Sequence, residues 1–280
     1  MTAKGIVAVT GASRGIGRTT ARELASRGYR VFALARSESE LQELAGEGKR
    51  LGWDVTPVVL DVADEESRKA AVDAIMGYTD GYGVDILVNS AGYGQMGPLE
   101  EVPPERLRRQ MEVNVIGLLA FTQPFLAGMR ERRRGWIVNL SSAAGRIATP
   151  FMGPYNMSKF ALEGMSDALR LELSPFNVRV VLIEPGPIPT NFGRIAGEQT
   201  AMQPGSPYEP FYRRFGATHD TAGRFARSPE TVARVIARAV ESDRPRARYT
   251  ITIPAKLANL GRLVPDRLRD WAYRIALGLH

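Results

Sequence analysis

The chain contains no cysteine, which excludes disulfides and thiolate–metal bonds. Its two histidines, His219 and His280, leave no zinc-ligand spacing, and no metal is expected. Long hydrophobic runs are missing as well: none reaches the ~18 residues a membrane-spanning helix needs. The N-terminal stretch MTAKGIVAVTGAS enters a strand-like run at once, without the apolar segment and cleavage site of a secretory signal. A cytoplasmic location is expected. There is no long linker, internal repeat or second composition regime, so residues 1–280 read as one domain.

Charge is plentiful but uneven. The formal net charge is +7, and residues 244–280 hold eight Arg and Lys against two Asp. A basic tail serves nucleic acid, an anionic membrane surface or a solvated face. The solvated face is the expectation, because Arg is common near helix ends. Nucleic acid is not an expected partner, and peripheral membrane contact stays open as the alternative.

Apolar, β-branched runs recur at Ile6–Thr10, Arg30–Ala35, Val55–Leu60, Ile86–Asn89, Trp136–Ser141, Val178–Glu184 and Arg248–Ile253. Stretches with helical spacing separate most of them. Near-continuous apolar strands alternating with helices predict an α/β fold with one doubly wound parallel sheet of about seven strands, covered on both faces. Two segments depart from the alternation. Residues 185–228, rich in Pro, Gly and aromatics, make a long loop before a helix near Ser228-Pro229; loops of that length often cover substrates. The tail, 255–280, carries Leu268, Trp271, Ala272, Ile275 and Leu279 on one face of a helix starting near Pro265. That face is expected to dock on the domain or on a partner subunit.

The first strand runs into Thr10-Gly11-Ala12-Ser13-Arg14-Gly15-Ile16-Gly17 and then a helix. Glycines there let the backbone turn tightly beside a pyrophosphate, and the helix N-terminus offers it unpaired N–H groups. The spacing is GxxxGxG rather than GxGxxG. The second strand ends at Ala35-Arg36, where sites for NAD carry a carboxylate on the adenosine ribose. Arg36 and Arg14 would instead suit a 2′-phosphate. Asp61-Val62 and Asn89-Ser90-Ala91-Gly92 follow the third and fourth strands, where the ligand crevice of such a sheet lies.

Tyr155 and Lys159 stand four residues apart and share a helix face. A nearby ammonium is expected to lower the phenol pKa from its usual value near 10 toward the working range. Ser142, at the end of the fifth strand, can share a substrate carbonyl with the Tyr155 hydroxyl. Asn114 is a polar residue inside an apolar helical stretch and must satisfy its hydrogen bonds, either structurally or by holding a water in a proton path.

In their order and spacing, TGASRGIG, NSAG, Asn114, Ser142, YNMSK and Glu184-Pro185-Gly186 resemble the short-chain dehydrogenase/reductase family over about residues 5–253. The resemblance implies a catalytic tetrad of Asn114, Ser142, Tyr155 and Lys159, with Lys159 also on the nicotinamide ribose. It implies NADP(H) held by Gly11, Ser13, Arg14, Gly15, Ile16, Gly17, Arg36, Asp61, Val62, Asn89, Ala91, Gly92, Tyr155, Lys159, Pro185, Gly186, Ile188 and Thr190. The tail resembles hydroxysteroid and retinol dehydrogenase-like members. A substrate wall of Gln95, Met96, Ala143, Ala144, Phe151, Met152, Pro187 and Phe192 is apolar and suits a medium or bulky hydrophobic ketone or alcohol. A β-ketoacyl-carrier-protein-type reductase and a non-catalytic NADP-binding sensor or scaffold are the competing readings. A homodimer or homotetramer is expected from the family.

Overall fold

The computed structural model describes residues 3–223 and 226–279; His280 and residues 224–225 of the long connection lie outside them. The first half alternates β1 (Ile6–Thr10), α1 (Gly15–Ser26), β2 (Arg30–Ala35), α2 (Glu38–Leu51), β3 (Val55–Val59), α3 (Glu65–Tyr78) and β4 (Ile86–Asn89). One long helix follows, composed of α4 (Pro104–Met111), a π-helical turn (Glu112–Ile116) and α5 (Gly117–Glu131). Then come β5 (Gly135–Leu140), α6 (Gly153–Leu173), β6 (Val178–Glu184), α7 (Asn191–Glu198), α8 (Glu209–Gly223), α9 (Pro229–Val240), β7 (Arg248–Thr250), α10 (Ile253–Gly261) and α11 (Asp266–Leu277).

All seven strands are parallel, in the order β3-β2-β1-β4-β5-β6-β7. Alternate residues of each strand face opposite layers. Val7 and Val9 of β1 join α1, α2 and α9 through Leu24, Leu41, Leu44 and Ile236. Ala8 between them faces the other layer, where Ile75, Phe121, Phe125 and Leu169 come from α3, α5 and α6. Both faces are therefore dry, which is why the strands read as unbroken apolar runs. Helix Pro104–Glu131 is long and apolar enough by composition to cross a membrane. Its Leu118, Phe121, Phe125 and Met129 are buried against the sheet, so here it is a core helix.

Three expectations need correction. The predicted seventh strand, Arg248–Ile253, stops at Thr250. Thr252 accepts from the Ala255 N–H at 3.3 Å, and Pro254 stands in the first turn, so the chain turns helical as α10. The 185–228 connection is no open loop, since it contains α7 and α8. Thr190 caps α7, and Phe211 and Tyr212 of α8 pack on Phe151 and Leu277. The apolar face of α11 does not dock on the domain: Leu268, Trp271 and Ile275 are more than half exposed. Its attachment is the C-terminal end, where Leu277 is buried and Leu279 packs beside it against the Phe151 cluster.

Two helical glycines test how tightly the layers are pressed together. A Cβ on Gly117 would fall onto the Val62 carbonyl oxygen, whereas one on Gly46, in the exposed interior of α2, meets nothing within 4 Å. Alanine in a helix is favoured over glycine by up to about 1 kcal/mol, while overpacking against fixed backbone costs about 1–3 kcal/mol. Gly46→Ala should therefore raise the urea midpoint and Gly117→Ala should lower it. A gain from both would show that α5 can move off the loop after β3.

Candidate active site

The crevice lies at the carboxyl ends of β1 and β4, where successive helices leave for opposite faces of the sheet. Gly11 and Gly15 take φ of +69° and +56°, values that side chains with a Cβ rarely adopt, and so permit the sharp passage from β1 into α1. A Cβ on Gly17 would run into the Gly11 carbonyl, so this glycine lets the helix close on the turn. Arg14 is the N-cap residue of α1, and its side chain does not cap the helix. Neither Ser13 nor Arg14 thus claims the first-turn N–H groups with a side-chain cap, and the helix end keeps its anion-binding character. The glycine turn and the bare helix end fit a dinucleotide pyrophosphate.

The crevice floor is tied across the two strands. Thr10 Oγ1 accepts from the N–H groups of Ser90 and Ala91, both at 3.0 Å. A Cβ on Gly11 would lie 2.9 Å from the Ala91 nitrogen, so the turn and the strand end touch. Thr190, beyond β6, reaches over the turn, with its Cγ2 3.4 Å from where a Gly15 Cβ would be. Pro185 accepts from the Ala143 N–H at 3.0 Å, joining the ends of β5 and β6. Gly186 lies against Thr252, and the half-buried Ile188 packs on the core beside α1. At the other end, Asp61 is bound to the Ala63 N–H at 3.0 Å and to Arg109 at 3.2 Å, and Val62 is buried beside it. The Asn89 amide nitrogen is committed to Thr122 and Asn139 at 3.0 and 2.9 Å. Arg36 is exposed and makes no ion pair among the described residues. Arg14 is held by both carboxylate oxygens of Glu40 at 2.9 and 3.0 Å.

The four predicted catalytic side chains converge. Asn114 sits in the π-helical turn, the kind of helix irregularity that often re-aims a functional side chain. Its Nδ2 donates to the Tyr93 carbonyl and to Ser158 Oγ, at 2.9 and 3.0 Å, and its Oδ1 accepts from the Tyr93 N–H at 3.1 Å. The turn is thereby pinned to α6, the helix of Tyr155 and Lys159. Lys159 Nζ donates to the Leu140 carbonyl at 2.7 Å and lies 5.7 Å from the Tyr155 ring centroid. A Cβ on Gly92 would lie 3.1 Å from Asn114 Oδ1 and 4.0 Å from Lys159 Nζ, so this glycine marks where β4, the π turn and α6 meet. Ser142 Oγ accepts from the Ala144 N–H at 3.1 Å and is hydrogen-bonded with Tyr155.

Electrostatically the pair differs from expectation. Burial pushes the Tyr155 phenol up to about 12, with the Ser142 hydrogen bond offsetting part of the rise. Burial also pulls Lys159 down to about 8, and the Glu163 carboxylate offsets part of that fall. Desolvation outweighs any lowering by Lys159, whose ammonium donates to the Leu140 carbonyl, so the phenol ends above its usual value rather than below it.

Of the predicted substrate wall, Phe192 stands 5.3 Å from the Tyr155 ring and touches Gly94. Ala143 and Ala144 form a 3-10 turn next to Ser142. Phe151, at φ +66°, points its ring into Tyr208, Tyr212 and Phe215 of the next segment, and Met152 packs on the same cluster. Pro187 accepts from the Arg227 N–H at 3.4 Å. Gln95 and Met96 are buried, and Gln95 Nε2 donates to the carbonyls of Met96 and Gln199 at 2.8 and 2.6 Å. Those two residues fasten the end of α7.

Sequence reading missed the charges beneath the site. Buried Glu163 and Glu184 share Arg248, whose Nε lies 3.0 and 3.3 Å from them. Arg146 approaches the same two carboxylates at 3.6 and 3.5 Å. Asn259 of α10 donates to Glu184 at 2.9 Å. The available signal was Glu163 one turn after Lys159, on the same helix face.

A family model described as short chain dehydrogenase matches residues 5–201. The chain belongs to the short-chain dehydrogenases. An NADPH-dependent 3-dehydrocapnine reductase from Ornithobacterium rhinotracheale is 33% identical over 268 residues, covering 94% of this chain and 93% of its own. Human retinol dehydrogenase 8 is 34% identical over 258 residues, 88% of this chain and 81% of its own. A solved short-chain dehydrogenase from Streptomyces avermitilis has a TM-score of 0.82 at 29% identity, covering 96% of this chain and 95% of its own. Several solved relatives hold NADP. This short-chain dehydrogenase is an NADP(H)-dependent oxidoreductase of ketones and alcohols.

Proposed function

We propose that this enzyme interconverts a hydrophobic, medium-to-bulky ketone and its secondary alcohol, with Tyr155 as the general acid and base. The observation that carries the reading is buried Tyr155 set beside Ser142 and Lys159, with Asn114 tied to their helix α6 through Ser158. When bound, NADPH supplies a hydride to the carbonyl carbon. Ser142 and Tyr155 then donate hydrogen bonds to the carbonyl oxygen as negative charge grows there. Burial keeps Tyr155 protonated at neutral pH, so it can give up its proton to the alkoxide. The Lys159 ammonium lowers the cost of the phenolate that results. Asn114 Oδ1 has a second lone pair, where a water could stand in a path resupplying the proton. The hydrophobic substrate is supported by Phe192 against Tyr155 and by the aromatic cluster behind Phe151. It is supported too by the retinol named for a relative.

Cofactor choice is assigned to Arg36 first. It is exposed at the end of β2 and unengaged by any carboxylate among the described residues, while Arg14 is already shared with Glu40. One charge-assisted hydrogen bond contributes about 1.5–3 kcal/mol, or roughly 10–100-fold in preference. Arg36→Asp removes that bond and repels a 2′-phosphate, so kcat/KM should turn from NADPH toward NADH. Equal use of both cofactors by the unaltered enzyme would make Arg36 a bystander.

Tyr155→Phe removes the donor and little else. Turnover should fall by about 10²–10⁴-fold, with NADPH binding, followed by its fluorescence, unchanged. Near-normal turnover would overturn the assignment. A panel of apolar ketones against a β-ketoacyl thioester separates the proposed substrate class from the carrier-protein alternative.

The pH profile follows from the two shifts. Reduction needs neutral Tyr155, present up to about 12, and cationic Lys159, present below about 8. Ketone reduction by NADPH should be level below about 8 and lose about tenfold per pH unit above it. A profile that stays level well past that point would remove the Lys159 charge from the reaction.

A further inference from the structure

Helices α10 and α11 leave an apolar surface uncovered. Leu257, Leu260 and Leu263 are 60%, 61% and 82% exposed, and Leu268, Trp271 and Ile275 are 53%, 59% and 55% exposed. Scattered exposed leucines need no explanation, but six large side chains along two consecutive helices and the corner between them do. On α10, Ile253, Leu257 and Leu260 recur at helical spacing along one face, and on α11 Leu268, Trp271 and Ile275 do the same.

The charges of α11 are arranged around that face. At about 100° per residue, Arg267 and Arg274 flank the Leu268–Trp271–Ile275 stripe on one side, and Arg269 lies on the far half of the helix. Asp266 and Asp270 fall on the opposite side of the helix. Arg267 and Arg274 make no ion pair among the described residues, and Asp266 is bound by Arg269 at 2.6 Å. Lys256 and Arg262 add exposed cations along α10 and the corner after it.

We propose that α10 and α11 seat this protein on an anionic lipid surface. The leucines and Trp271 enter the boundary between headgroups and acyl chains, the arginine stems follow them, and the guanidinium groups meet lipid phosphates. The distribution of sign selects this occupant. A two-fold contact with a second copy would set the same basic flank against itself. A lipid surface offers negative charge at the flank and hydrocarbon under the stripe, and the two aspartates face away from it.

The surface also has a place in the enzyme. The end of α11 that is buried, at Leu277 and Leu279, packs on Phe151 and Met152 of the substrate wall. Lipid contact would therefore lie on the outer side of the element that backs the pocket. The inference rests on the surface alone and stands independently of the proposed substrate.

The full chain is sedimented with vesicles of phosphatidylcholine, with or without phosphatidylglycerol, at low and high salt. Each cation near an anionic surface contributes about a kilocalorie, so three or four of them should favour the anionic vesicles by on the order of 100-fold. High salt and Arg267→Gln/Arg274→Gln should remove most of that preference. Leu268→Ser/Trp271→Ser/Ile275→Ser should lose binding while keeping turnover of a water-soluble ketone and an unchanged solution mass. Quenching of tryptophan fluorescence by brominated lipid tests the unaltered chain, since Trp136 is buried, Trp53 is half-buried against the core and Trp271 is exposed. Absence of anionic-vesicle binding, equal binding by the serine variant or absence of quenching would overturn the proposal. A fall in solution mass of the serine variant would also overturn it, by making the face a subunit contact.

Discussion

The seam between β1 and β4 is the constraint on which the rest depends. Thr10 Oγ1 accepts two backbone N–H groups from Ser90 and Ala91, and Gly11 lies directly against Ala91. With the strands held there, α1 leaves toward one face of the sheet and the long helix after β4 runs on the other. The two cannot both cover the strand ends, so a crevice opens between them. The glycine turn shapes one wall of that crevice, and the π turn with Asn114 shapes the other.

The chemistry of the site is set by desolvation more than by proximity. Tyr155 and Lys159 are both buried, so each is driven toward its neutral form, the phenol upward and the ammonium downward. Glu163 and the Leu140 carbonyl partly compensate Lys159. Glu163 is in turn part of a buried network with Arg248, Glu184 and Arg146. Buried ion pairs are weak sources of stability, since desolvation consumes most of their attraction. Their evident consequence here is positional. They join α6, β6, β7 and the turn after Ser142 around Lys159, and Asn259 brings the C-terminal extension into the same network.

The extension has two dissimilar faces. Its inner contacts, at Asn259, Leu277 and Leu279, tie it to Glu184, to Arg146 and to the aromatic cluster behind Phe151. Its outer face carries Leu, Ile and Trp into solvent, flanked by arginine. An apolar stripe in sequence does not say which molecule it meets, and here α11 is attached by its last turn rather than by the stripe.

The sequence by itself determined the seven strands, because burial on both faces demands runs such as Ile6–Thr10 and Val178–Glu184 that no amphipathic helix would show. It also determined the glycine turn and the Tyr155–Lys159 spacing, since both are local: one needs positive φ at fixed positions, the other one helical turn. Residue pairs distant in the chain were beyond it. That Arg248 would reach Glu163, that Arg14 would be taken up by Glu40, and that Gln95 would fasten α7 depend on which elements lie side by side. The same holds for the sign of the pKa shifts, because the desolvation that outweighs the ammonium's lowering of the phenol depends on what the rest of the chain covers. The end of β7 at Thr250 was decided by a helix cap, a local signal overridden in sequence by the β-branched residues that surround it. Tertiary packing alone decided the exposure of Leu268, Trp271 and Ile275, because burial is a property of what the rest of the chain can cover.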